Sequence, residues 1–133
     1  MPQIADAGFL VAYWIKEDRH HRWARDLALN VPLLTCAPAL TEAAHLMRTA
    51  EPLLQMILDG DLIADFDIGL HARYLQFWLR KFGDLRPDFT DACIVAMADL
   101  TLHSEILTVD RRDFSTYRTL AGKPLNCVFP PVR

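Results

Sequence analysis

Four carboxylates stand where the sequence changes from one kind of segment to the next. Asp6 closes QIAD, Glu42 lies in PALTEAAHLM, Asp91 in PDFTDACIVAMADL, and Asp110 closes EILTVD. Asp91 poses the sharpest question. Directly after it runs ACIVAMA, residues 92–98, with no polar side chain. A helix that is apolar all round is a buried helix. A carboxylate at its head is costly unless it is paired, hydrogen-bonded or bound to metal. Asp88 accounts for the helix start, since an N-cap carboxylate accepts from the free N–H groups of the first turn. Asp91 either reaches back to the cap's own N–H or faces a site. The helix dipole favours charge there in both cases.

Acids at the carboxyl ends of parallel strands share one rim, where an open α/β sheet gathers its functional groups. Four carboxylates there repel one another, and without cations some stay protonated. Hard divalent ions remove the conflict, and Mg²⁺ favours a few carboxylates plus waters. Such ions turn water into a nucleophile and stabilise in-line displacement at phosphorus. Each acid alone has an ordinary reading too: Asp6 as a turn residue, Glu42 as a helix-surface charge, Asp110 as a loop cap.

The elements that must place these acids alternate along the chain. QIAD, PLLTC, DLIADFD, EILTVD and PLNCVF read as strands. AGFLVAYWI is nearly all apolar at helix length. EDRHHRWARDLALN reads as an exposed helix capped by Asp18, with Trp23 and Leu27 inward. PALTEAAHLMRTA and EPLLQMILDG are helical, the latter stopped by Gly60. In IGLHARYLQFWLRKFG, residues Ile68, Ala72, Leu75, Leu79 and Phe82 share a face, and Gly83 is the expected stop. DRRDFSTYR is a loop or a short helical turn. Strands separated by helices imply a parallel sheet covered on both faces.

Length and composition narrow the class. The 133 residues fit one domain spanning 1–133, and 52% hydrophobic with 23% charged residues is the balance of a soluble globule. A net charge of −3 argues against coating nucleic acid through a general positive field, though not against a local basic rim. Cys36, Cys93 and Cys127 are far apart in the chain and form no CxxC pair, so neither a zinc site nor a disulfide framework is expected, and a reducing cytoplasm fits best. The N-terminus does not read as a signal peptide. No run approaches the ~20 apolar residues of a membrane helix.

The segments IADAGFLVAYWIKEDRHH, LTEAAHLM, PDFTDACIVAMADL and EILTVDRRDFSTYR resemble the successive motifs of the PIN domain, and more narrowly the VapC toxins of bacterial VapBC toxin–antitoxin pairs. The resemblance runs from Ile4 to about Tyr117. It implies a three-layer α/β/α fold with a five-stranded parallel sheet in the order 3-2-1-4-5. It implies an endoribonuclease dependent on Mg²⁺ or Mn²⁺, with Asp6, Glu42, Asp91 and Asp110 as the catalytic, metal-holding acids. Asp113 is a weaker fifth acid, and Thr108 sits where a hydroxyl supports the fourth. The family usually has Thr or Ser after the first acid, where this chain has Ala7. The implied partners are an RNA, either tRNA or ribosomal RNA, and a cognate antitoxin that inserts a basic side chain near the acids.

Other residues carry two readings. Arg111, Arg112 and Arg118 are either a solvated loop or phosphate contacts for RNA. His20 and His21 are adjacent and lack the i, i+4 spacing of a metal pair. His45, one turn after Glu42, is expected to be partly buried. Phe9, Tyr13 and Trp14 on the first helix suggest a homodimer interface. Two alternatives stand beside the toxin. One is a PIN nuclease for RNA processing or DNA without a toxin role. The other is a catalytically inactive PIN module that keeps the fold for protein contacts.

Overall fold

Every strand pairing in the protein is parallel, and all five strands join one sheet. The computed structural model describes residues 1–132. The strands are β1 (Gln3–Ala5), β2 (Leu33–Leu34), β3 (Leu62–Ile63), β4 (Glu105–Leu107) and β5 (Cys127–Val128). Their spatial order is β3-β2-β1-β4-β5, the order expected. The helices are α1 (Ala7–Trp14), α2 (His21–Asp26), α3 (Ala37–Met47), α4 (Glu51–Leu58), α5 (Ala72–Lys81), α6 (Phe89–Leu100) and α7 (Arg111–Phe114). Helices flank the sheet, giving the three-layer α/β/α architecture. Among the described residues no helix is long and apolar enough to cross a membrane.

The chain steps outward from β1 to β2 and β3, then crosses back to β4 and β5. The direction reverses between β1 and β4, and in open α/β sheets the crevice outside the carboxyl ends at such a reversal is where ligands bind. Pairing of Ile4 with Ile106 and of Ala5 with Leu107 fixes the register there. Both strands are central, and Ile4, Ala5, Ile106 and Leu107 are wholly buried. The one polar residue of β1, Gln3, is also buried, and its amide donates to Glu105 at 2.8 Å while its oxygen accepts from the Asn30 N–H at 2.7 Å.

The apolar run of α6 packs on this centre. Ala92 through Met97 are buried. Burying a side chain such as Ile94 is worth about 1.5–3 kcal/mol, so α6 is anchored along its length. Its α5 neighbour presents Leu75 and Trp78 to the core, with Leu79 and Phe82 packed against its edge. Ala72, expected on that face, is exposed, because the helix begins there and Ile68 belongs to the preceding turn.

Several elements are shorter than their patterns suggest. DLIADFD contributes only Leu62 and Ile63 to the sheet, paired with Leu33 and Leu34, so the strand extends only as far as its two-residue partner β2. The second helix starts at His21. Asp18 does not cap it; its carboxylate accepts from the His20 N–H at 2.8 Å and closes a turn one step earlier. Gly83 does not adopt a left-handed stop. It opens a short 3-10 turn over Gly83–Leu85, and Arg86 takes the positive φ of 51°. Phe9 is wholly buried, its ring edge-on to Trp23 at 5.8 Å, so it is internal to the chain and cannot serve an interface. Tyr13 and Trp14 are half-buried.

Gly8 locks the first turn of α1 under the loop after β4. A Cβ at Gly8 would come within 2.7 Å of Val109 Cγ2. Gly8→Ala should therefore destabilise the protein by about 1–3 kcal/mol through overpacking. Val109→Ala in the same chain should recover much of that loss, because the two sites share one contact. Denaturant melts of the single and double variants check this, and additive losses would show that Gly8 is not held by Val109.

Candidate functional site

Asp6 is the first residue beyond β1, and its N–H continues the β1–β4 ladder to Leu107 O at 3.1 Å. Its side chain is 7% exposed. Oδ1 accepts from the Ala7 N–H at 2.8 Å, which makes Asp6 the N-cap of α1. Oδ2 accepts from the Thr108 hydroxyl at 3.1 Å. The same hydroxyl oxygen accepts from the Asp110 N–H at 3.1 Å. One buried threonine thus joins the first acid to the backbone of the fourth. It also answers the absence of a hydroxyl at Ala7: the hydroxyl that Asp6 uses comes from Thr108, the residue just beyond β4.

Asp110 caps α7, accepting from the Asp113 N–H at 3.0 Å. Its expected reading as a loop cap and its expected place on the rim both hold. Asp88 caps α6, accepting from the Asp91 N–H at 2.8 Å. Asp91 does not return the bond to its cap. Its Oδ2 accepts from the Tyr117 hydroxyl at 2.6 Å. Tyr117 is itself buried, edge-on to both Trp78 and Phe114. The tyrosine was not legible in advance, because its partner lies 26 residues away. No local pattern marks it.

Electrostatics binds the acids into one group. Burial pushes Asp6 up from 3.8 to about 6, against the pull of the Ala7 N–H and the Thr108 hydroxyl, and the charges of Glu42 and Asp110 push it further. Asp91 rises to about 8, first by burial and then through Asp88 and Asp6, opposed by the Tyr117 hydroxyl. Asp110 is raised as well, by burial, Asp113 and Asp88. Asp6 thus feels Glu42 and Asp110, Asp91 feels Asp88 and Asp6, and Asp110 feels Asp113 and Asp88. Glu42 is the outlier: it is exposed on α3 and shares only a through-space charge with Asp6. His45, expected to be partly covered, is exposed, since α3 turns that face outward.

The donor set consists of carboxylates and one hydroxyl, the hard oxygen chemistry that suits Mg²⁺ or Mn²⁺ rather than zinc. Among the described residues no group of three or more His, Cys, Asp or Glu side chains is placed to hold a metal ion, so Asp6, Glu42, Asp91 and Asp110 are not assembled here as the four-acid ligand set expected. Mg²⁺ needs only one or two direct carboxylates and keeps several waters, so the acids suit such an ion by donor type, though not as an assembled ligand group.

The basic residues beside the acids divide. The Arg118 guanidinium donates to the carbonyls of Ser115, Thr116 and Tyr117, closing the end of α7. Arg111 donates to Pro130 O at 2.8 Å and lies over the Phe129 ring. Arg112 is exposed. His21 holds Ala12 O through Nδ1 at 2.7 Å, and His20 lies beside Trp23. All three cysteines are free. The neighbouring Cys93 thiol and burial push the Cys36 thiol up.

No protein-family model matches this chain, and comparison with curated proteins finds no significant match. The motifs and the geometry carry the functional argument by themselves.

The raised acids set the sign of a pH effect. Between 3.8 and about 6 the folded protein keeps a proton on Asp6 that the unfolded chain has released. Stability contributed by that proton is lost as pH rises through this window. Asp91 has the same sign and extends the loss to about pH 8. In EDTA, Asp91→Asn should match or exceed the wild type in melting temperature, with its advantage growing as pH rises toward about 8. Asp88→Ala should lose about 0.5–2 kcal/mol as a deleted N-cap. Melts of the three proteins across pH check this, and an Asp91→Asn deficit that does not vary with pH would return Asp91 to a purely structural role. Tyr117→Phe should raise the Asp91 midpoint further, because the phenol favours the carboxylate; carboxyl NMR titration reads this directly.

Proposed function

We propose that the protein is a metal-dependent endoribonuclease that hydrolyses RNA phosphodiester bonds at the acidic crevice between β1 and β4. One observation carries the reading. Asp6 and the Thr108–Asp110 segment meet at adjacent strand ends on the sheet's reversal, and Asp91 feels the charge of Asp6. Pressure of like charges in a half-buried site is what a divalent cation relieves. The strand order and the PIN-like motifs point the same way.

Asp6, Asp91 and Asp110 would hold the ion, with Glu42 at the open side. When bound, such an ion lowers the pKa of water and offsets charge at phosphorus. The chain's own residues do the positioning. Thr108 keeps the Asp6 carboxylate turned toward the Asp110 backbone. Tyr117 orients Asp91 and lowers its proton affinity. The buried length of α6 holds Asp91 at a fixed height above the sheet.

The same motifs support a role as the toxin of a toxin–antitoxin pair, acting in the cytoplasm and restrained by a cognate antitoxin. A homodimer belongs to that proposal. With Phe9 internal, the large exposed apolar side chains on α3 and α4 are Leu46, Leu54, Ile57 and Leu58.

The purified protein should cut single-stranded RNA with Mn²⁺ or Mg²⁺ and stop in EDTA. Asp6→Asn should abolish cutting while remaining folded by circular dichroism. Cleavage undiminished in EDTA would falsify the metal mechanism. Expression without an antitoxin should arrest bacterial growth, and Asp6→Asn should relieve the arrest. Robust growth at high expression of a protein that cuts RNA in vitro would favour a processing nuclease over a toxin.

A further inference from the structure

A cavity of about 670 Å³ opens beside the acidic crevice, within the ~300–1,000 Å³ range of ligand sites. Three parts of the chain build it: residues 19–27 around α2, the loop Val109–Arg111, and the segment 130–132. Val109 and Arg111 flank Asp110 in the chain, so the cavity lies next to the loop that carries this acid. Arg19, Arg22 and Arg111 line it with His20, against a single carboxylate, Asp26. This cluster of positive charge stands out in a chain whose net charge is −3.

These guanidiniums are little engaged with acids. The only ion pair among the described residues joins Arg22 to Asp26 at 3.9 Å, with the two side chains 93% and 73% exposed. A pair so long and so wet contributes little and is easily exchanged. Arg111 spends one N–H on the carbonyl of Pro130, another residue of the cavity lining, and lies over the Phe129 ring. Arginine presents a fork of donors matched to phosphate oxygens.

Trp23 supplies the second element. Its ring makes T-shaped contacts with Phe9 and His20, and it lines the cavity with Val109 and Pro130. A fixed, half-buried indole among arginines is a surface on which a nucleobase stacks, and stacking of this kind tolerates any base. An acidic peptide would use the arginines but leave the indole and the apolar wall unmatched. A duplex would keep its bases stacked on one another and away from Trp23.

We infer that this cavity binds the single-stranded polynucleotide flank of the scissile phosphate, with a base on Trp23 and backbone phosphates on Arg19, Arg22 and Arg111. The inference rests on the nuclease reading for what the strand is doing there, but binding itself requires no metal. It makes the protein a single-strand reader with little base preference at this position. Whatever sequence selectivity it has is then exercised elsewhere.

The test uses the full chain carrying Asp6→Asn, in EDTA, with 5′-fluorescein oligouridylate as probe and anisotropy as readout. The Arg19→Gln, Arg22→Gln pair should weaken binding tenfold or more. It should also flatten the slope of log K against log salt, between about 50 and 200 mM, by about 1.4, the loss of two single-strand phosphate contacts. Trp23→Leu should weaken binding at an unchanged slope. The arginine pair is exposed, so it tests the cavity even if Trp23→Leu perturbs packing on Phe9. Arg73→Gln removes the same charge from α5 and should bind as the parent. Oligothymidylate beside oligouridylate tells whether the strand may be DNA.

Binding unchanged in the arginine pair overturns the inference. So does equal loss in Arg73→Gln, a duplex bound as tightly as the single strand, polyglutamate competing as well as unlabelled oligouridylate, or no binding at all. Cleavage by the wild type with intact binding in the cavity variants would overturn the cavity and leave the nuclease standing. The expected binding pattern with no cleavage in Mn²⁺ would do the reverse.

Discussion

The Thr108 hydroxyl is the hinge on which the rest of the arrangement turns. It donates to Asp6 Oδ2 and accepts from the Asp110 N–H, so it joins the two strand ends at the point where the sheet reverses direction. Thr108 is wholly buried, and a hydroxyl in that setting is costly unless it is bonded. Here it is bonded in both directions. Asp6 in turn caps α1 through Ala7, and Gly8 brings that helix beneath Val109. The first turn of α1, the end of β4 and the start of α7 are thereby joined as one rigid corner, and the acidic crevice is the outside of that corner.

A folded core and a charged site make opposite demands, and α6 meets both. Its buried run from Ala92 to Met97 is as apolar as a core element can be. Its first turn nevertheless carries Asp88 and Asp91. The two acids divide the work: Asp88 satisfies the helix end, which frees Asp91 to meet Tyr117. Tyr117 is seated between Trp78 and Phe114, and Trp78 donates to Arg118 O at 2.8 Å. The acid site is therefore buttressed from behind by aromatic packing, so a change in the core near Trp78 reaches the carboxylate through one hydrogen bond. Burial first, and neighbouring acids second, raise Asp6, Asp91 and Asp110, so folding favours protons at this corner.

Charge is divided across one loop. Asp110 faces the crevice, while its neighbours Val109 and Arg111 line the cavity. The overall negative balance of the chain thus conceals a positive recess directly beside a negative one. A polyanion with a single phosphate to be hydrolysed needs that division: repulsion offset at the reacting group, attraction along its flank.

Much of the fold was legible in the sequence. The parallel α/β class follows from short apolar runs alternating with helical periodicity, because only a sheet covered on both faces can bury such strands. The caps at Asp88 and Asp110 and the buried stretch after Asp91 were likewise written locally, since capping and amphipathicity act over one or two turns. Boundaries were less legible: Asp18 turned the chain a step before α2, and the third strand shrank to two residues, because pairing partners and not propensity decide where an edge strand ends. Ala72, His45 and Phe9 were misplaced for the same reason, as exposure depends on what the rest of the chain lays over a face. The site divides along this line. That Asp6, Asp91 and Asp110 are acids at element ends is a fact of sequence. That Thr108 serves Asp6, that Tyr117 serves Asp91, that Arg118 is spent on backbone carbonyls, and that Arg19 and Arg111 share a cavity with Trp23 were decided only by tertiary structure. Each joins groups that no local period connects, and a hydrogen bond or a cavity wall requires atoms a few ångströms apart in space, whatever their separation along the chain.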